Sequence, residues 1–125
     1  MSEVNDEILK ALMLDIAAIK AKVAPEVPII DFSAEASEHI EALDSAGRSK
    51  TAECYRRSLH ALADFLGEGS ITLDSLQYPL LRSFLDALRQ RVSESTARAY
   101  VADIRVLYNH VAGRHNIFQN PFKQL

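Results

Sequence analysis

Cysteine is nearly absent: Cys54 stands alone, so no internal disulfide can form and no thiolate metal cluster can be built. Glycine is sparse, with four residues scattered singly, which leaves no Gly-rich loop to cradle a phosphate. No apolar run approaches the roughly 20 residues that a bilayer demands. The opening residues, MSEVNDEILK, are acidic where a secretory signal is basic. No membrane partner is expected, and the chain is read as cytoplasmic. The alternation of apolar and polar residues that marks a half-buried strand is missing as well. What is abundant is apolar side chain, 48% of 125 residues, enough to bury the core of one compact domain and too little chain for two.

A net charge of -3 argues at first against a nucleic-acid partner, but the sum hides a gradient. Residues 1 to 47 carry three basic side chains (Lys10, Lys20, Lys22) against ten acidic ones, net -7. Residues 48 to 125 carry eleven basic against seven acidic, net +4. A basic body behind an acidic N-terminal segment is a footprint that DNA-binding domains leave, although this one is modest.

Apolar spacing is helical along almost the whole chain. A first helix is predicted from Asn5 to about Val23, with Ile8, Leu12, Ile16, Ile19 and Val23 on one face and Asp6 and Glu7 at its positive end. Pro25 and Pro28 then enforce an extended linker, APEVPIIDF, with Ile29, Ile30 and Phe32 placed to tack onto the body. A second helix runs from Ser33, as N-cap, to Ala46 and stops at Gly47. A third covers Ser49 to Leu66 and stops at Gly67; a connector, EGSITLDSL, has one short turn near Asp74. A fourth starts with Pro79 in its first turn and buries leucines and Phe84, and a fifth runs from Ser95 to Ala112 and stops at Gly113. The expected fold is all-α, a compact bundle of four to five helices with an extra N-terminal helix. Residues 1–28 form the amphipathic helix and linker, and residues 29–125 form the globular domain.

Two of these helices are written on one skeleton. KTAECYRRSLHALADFL and STARAYVADIRVLYNHV both contain Thr-Ala-x-x-Tyr, then an aliphatic residue four on, a Leu three later and another aliphatic four later. At about 100° per residue, Ala52, Leu59, Leu62 and Leu66 gather around Tyr55, as Ala97, Ile104, Leu107 and Val111 gather around Tyr100. The repeated letters are core letters, Tyr55 and Tyr100 among them, and the small Ala before each Tyr permits a close helix approach. The opposite faces are polar. Arg98, Ala102, Arg105 and Asn109 share one side of the second twin, with a small residue between the two arginines, and Lys50 and Arg57 share one side of the first, with Glu53 and Asp64 near that side. Each twin also opens on hydroxyls and cations: Arg48, Ser49, Lys50, Thr51, and Ser93, Ser95, Thr96, Arg98. Such residues cap helices, and helix N-termini with free N–H groups are natural phosphate sites. Charged helix faces also commonly meet nothing but water.

GRSKTAECYRRSLHALADFL, LDSLQYPLLRSFLDAL, SESTARAYVADIRVLYNHV and a closing NPFK, in this order, resemble the core-binding, SAM-like domain of tyrosine recombinases (phage and transposon integrases), particularly the version common in Bacteroides. The resemblance covers residues 29 to 125, and the acidic first helix lies outside it. It implies a helical bundle that grips double-stranded DNA as one jaw of a clamp. The other jaw would be the recombinase catalytic domain, with its tyrosine nucleophile and its Arg, Lys and His assistants. None of Tyr55, Tyr78, Tyr100 or Tyr108 lies in such a context, and the chain ends where that domain would begin, so no strand cleavage is expected of it. Carried over by position, the DNA-facing residues implied are Arg48, Ser49, Lys50, Thr51 and Arg57 in the first twin and Ser95, Thr96, Arg98 and Arg105 in the second. Ser and Thr would position phosphates, whereas Arg98 and Arg105 could also reach guanine edges. No cofactor and no metal are implied.

A different class of function is a helical protein-interaction module, in which the apolar stripe of residues 5 to 23 docks in a partner or a second copy. The two are compatible, since recombinases assemble on DNA as multimers. An isolated enzyme is disfavoured because no acid, base and nucleophile converge. His39, His60, His110 and His115 have no ligand spacing with carboxylates.

Overall fold

The computed structural model of the protein describes residues 29–125. The helix expected over residues 5–23 and most of its linker lie outside the described residues. Four α-helices follow in order: α1 (Phe32–Ser45), α2 (Ser49–Leu66), α3 (Tyr78–Arg89) and α4 (Glu94–Arg114), with a 3-10 turn at Leu73–Ser75 between α2 and α3. Among the described residues no strand forms; an isolated bridge joins Asp31 to Thr72. None of the described helices is long and apolar enough to cross a membrane.

α2 occupies the range its pattern predicts, and Gly67 ends it in the left-handed region at φ 70°. Gly47 does the same after α1 at φ 85°, where its Cβ-free backbone is needed. The third glycine behaves differently. Gly113 stays inside α4, which runs on to Arg114, and the left-handed position falls to Asn116 at φ 56°. Asn tolerates that geometry, and the turn closes with the Ile117 N–H donating to the Ala112 carbonyl at 2.9 Å. α4 starts close to the expected Ser95: Ser93 is the N-cap and Glu94 the first helical residue.

The start of α1 also departs from expectation. Asp31, not Ser33, is the N-cap, accepting from the Ala34 N–H at 3.0 Å and from the Ser33 hydroxyl at 2.7 Å. The Ser33 hydroxyl, the Ala34 N–H and lesser hydrogen bonds hold the Asp31 carboxyl below its ordinary range. Ser33 is thereby released for a longer-range task, its Oγ accepting from the Ile71 N–H at 3.0 Å. With Leu73 N–H donating to the Ile30 carbonyl at 2.9 Å, this stitches the connector to the entry of α1. Ile30 and Phe32 are buried by the stitch, whereas Ile29, expected to join them, is 86% exposed.

α4 is the spine, touching α1, α2, α3 and the 3-10 turn. Ala97, Ile104, Leu107 and Val111 are all fully buried along it, and each large aliphatic so buried contributes about 1.5–3 kcal/mol relative to exposure. Ala52 on α2 is equally inaccessible, consistent with close approach of the twins. α3 begins with Pro79 in its first turn and buries Leu81, Phe84, Leu85 and Leu88. In the closing NPFK, Asn120 Oδ1 accepts from the Phe122 N–H at 3.2 Å, and the buried Phe122 ring meets Tyr108 edge-on at 5.5 Å. Tyr55 and Tyr100 are half-buried at the margin of the core, and Tyr108 is the tyrosine inside it.

Candidate nucleic-acid interface

The arginines and lysines divide by whether the fold supplies a carboxylate. α1 carries Glu35, Glu38, Glu41 and Asp44 and no basic side chain except His39. It neutralises the cations packed on it: Arg56 reaches Glu41 at 3.1 Å, and Arg114 reaches Glu35 at 3.3 Å and Glu38 at 3.4 Å. Around the α3–α4 corner, Arg89 holds Asp86 at 2.9 Å and Glu94 at 2.8 Å, and Glu94 also takes Arg98 at 2.9 Å. The Arg89 hydrogen bonds, chiefly, hold the Glu94 carboxyl below its ordinary value, and Glu94 in turn raises Arg89. Among the described residues, Arg48, Lys50, Arg57, Arg91, Arg105 and Lys123 have no ion-pair partner within 4.0 Å.

The N-terminal half of α2 concentrates three of these. Arg48 is its N-cap residue and makes no side-chain capping bond. Lys50 is exposed, and Arg57 lies two turns further along the same side. Arg57 Nη2 donates to Cys54 Sγ at 3.7 Å, and its guanidinium lies 5.8 Å from the centre of the Tyr100 ring, a cation–π distance that ties α2 to α4. Ser49 spends its hydroxyl on Asp44 Oδ1 at 2.9 Å, closing the α1–α2 corner, and Thr51 is half-buried.

On α4 the expected residues are partly committed to the helix itself. Ser93 accepts from the Thr96 N–H at 3.3 Å and donates to Thr96 Oγ1 at 2.9 Å, while the Ser95 hydroxyl lies 3.4 Å from that of Ser93. Arg98 and Arg105 line one groove with Ala102, Leu85 and Phe122, as the small residue between them suggested. That groove is not the Arg57 side of the molecule. Arg105 is five residues from Tyr100, about 140° around the helix axis. The expected residues therefore do not share one face: Arg57 lies beside Tyr100, and Arg98 and Arg105 line a groove elsewhere on α4. Arg91 was not anticipated; it is brought by packing to the recess that Arg57 and Tyr100 line. Its local sequence, LRQRVS, carries no signal for this, because the neighbour is on α2.

His39 and His110 stack at 3.8 Å between α1 and α4, and burial chiefly, with the charge of His110, lowers the His39 pKa. His115 pairs with Glu35 at 2.8 Å. Among the described residues no group of three or more His, Cys, Asp or Glu side chains is arranged to hold a metal ion.

Arg48, Lys50 and Arg57 on α2 and Arg105 on α4 thus lie on an all-α bundle without a carboxylate partner among the described residues, whereas Arg98 of α4 is paired with Glu94. The family model described as phage integrase SAM-like domain matches residues 31–125, and the chain belongs to that family. No curated protein and no solved structure matches it significantly.

Proposed function

We propose that residues 29–125 grip duplex DNA at the core site of a site-specific tyrosine recombinase, as one jaw of a clamp closed by the recombinase catalytic domain. The observation that supports this best is the unneutralised set Arg48, Lys50 and Arg57 on α2 with Arg105 on α4, in a fold whose other helical arginines, Arg56, Arg82, Arg89, Arg98 and Arg114, are each paired with a carboxylate. Cations without internal partners are free to neutralise DNA phosphates, and the release of the counterions condensed on the duplex drives association. The uncapped start of α2 adds backbone N–H groups and the positive end of the helix dipole beside Arg48 and Lys50. Thr51, Ser95 and Thr96 would serve as phosphate-positioning hydroxyls, and Arg98 and Arg105 as groove-reading side chains. Strand cleavage would belong to the catalytic domain, with its tyrosine nucleophile.

Fluorescence anisotropy with a mixed-sequence duplex of about 20–30 base pairs, titrated from roughly 50 mM salt upward, tests the proposal. Binding that weakens steeply with salt is expected, with a slope of a few phosphates. Replacing Arg98 and Arg105 together by Ala should weaken binding without unfolding, because both are exposed. Salt-independent or absent binding would reject the DNA-gripping role.

A further inference from the structure

Arg91 is stranded by its neighbours. The carboxylates nearest in sequence, Asp86 and Glu94, are both engaged by Arg89. Arg91 instead lines a recess of about 260 Å³ between α2, the end of α3 and α4, together with Arg57, His60, Asp64, Leu88 and Tyr100. The one carboxylate on its wall, Asp64, has His60 Nε2 3.3 Å away and, among the described residues, no arginine within 4.0 Å. Arg57 and Arg91 line the same recess, where their like charges disfavour each other unless an anion binds between them, and the Arg57 guanidinium lies 5.8 Å from the centre of the Tyr100 ring on the recess wall.

We infer that Arg57 and Arg91 form a two-armed clasp for a single backbone phosphate, with Tyr100 positioning Arg57 and Asp64 tempering the affinity. The inference rests on the DNA-binding reading and adds to it a residue, Arg91, and a stoichiometry of one phosphate for two arginines. A phosphodiester offers two non-bridging oxygens, and a planar guanidinium fork on each side can donate paired N–H bonds to them. A lysine would supply the charge without the fork.

The test uses the full chain in the same salt-dependent anisotropy titration, with Arg57→Ala, Arg91→Ala, the double variant, Asp64→Asn and, as a control, Arg82→Ala, whose guanidinium is paired with Asp86 at 3.3 Å. Each single clasp variant should weaken binding about tenfold. The double variant should fall well short of the roughly hundredfold product, and the salt slope should drop by about 0.9, one phosphate. Asp64→Asn should tighten binding, and Arg82→Ala should change nothing. Wild-type binding with Arg91→Ala indistinguishable from it overturns the clasp and leaves the DNA reading standing. Multiplying effects with a two-phosphate loss of slope overturn the shared site in favour of two separate contacts. No binding by the wild type at the lowest salt overturns the DNA reading and the clasp together.

Discussion

α2 and α4 carry one skeleton 45 residues apart, and the fold joins them at matching positions. Ser58 and Asp103 each stand three residues after the skeleton's tyrosine, and the Ser58 hydroxyl donates to Asp103 Oδ2 at 2.7 Å. Among the described residues Ser58 is the buried polar side chain, so this bond removes what would otherwise be an orphaned donor. Had both positions held Asp, the contact would repel; the departure from the repeat makes the pair complementary. The outer surfaces diverge further. α4 is capped by Ser93 and has Glu94 to hold Arg98, whereas α2 opens on Arg48 with no side-chain cap and leaves Lys50 and Arg57 unpaired among the described residues. The skeleton specifies how the twins pack, and the differences between them specify what each shows to a partner.

The largest effects should come from breaking the shared part. Leu62 and Leu107 occupy equivalent positions and are both fully buried, so Leu62→Ala and Leu107→Ala should each lose about 2–5 kcal/mol in urea denaturation. A loss under about 1 kcal/mol at one of them would break the equivalence of the two helices. Next comes the contact that joins the twins. Asp103→Ala leaves the Ser58 hydroxyl buried without an acceptor and should cost about 1–3 kcal/mol. The double variant with Ser58→Ala should be less destabilised than the sum of the singles, since it removes both partners; strict additivity would mean that the bond carries no coupling.

Much of this was legible because it is periodic. The apolar stripes of α2 and α4 follow from spacing, and α2 has the predicted bounds, since its core face and its Gly stop agree. The misses are choices among equivalent chemistries. Asp31 and Ser33 are both good caps, and Ser33 lost the role because a residue 38 positions away, Ile71, needed its oxygen. Gly113 resembled a stop, but glycine is tolerated inside a helix and Asn116 could adopt the left-handed turn. The individual expected site residues could be listed from sequence, but the separation of Arg57 from Arg98 and Arg105 could not, nor could the arrival of Arg91 beside Arg57. Both depend on how α2, α3 and α4 pack, which local spacing does not encode.

A smaller effect tests the difference in capping. Ser93→Ala removes the acceptor for the Thr96 N–H and should cost about 1 kcal/mol. Ser49→Ala, at the start of α2, removes a bond between exposed groups rather than a cap, and its thermal shift should be clearly the smaller of the two.

The smallest effect on stability is the most direct on the contrast of charge. In the shared skeleton Glu94 of α4 stands where α2 has Ser49, so Glu94→Ser writes the α2 arrangement into α4. Glu94 is exposed, and surface pairs contribute little, so the variant should unfold close to wild type at neutral pH. Its pH dependence should still differ. Arg89 chiefly lowers the folded-state pKa of Glu94 below the unfolded value, so the pair's contribution is present above the ordinary glutamate range and is lost as pH falls through the folded pKa. Glu94→Ser should therefore flatten the acid side of the stability profile, and an unchanged profile would deny the pair any role in the folded state. On the DNA reading the same variant releases Arg98 and removes a negative charge beside it, so duplex affinity at low salt should rise roughly twofold to fivefold. A fall in affinity would mean that Glu94 orients Arg98 toward its target rather than competing with it.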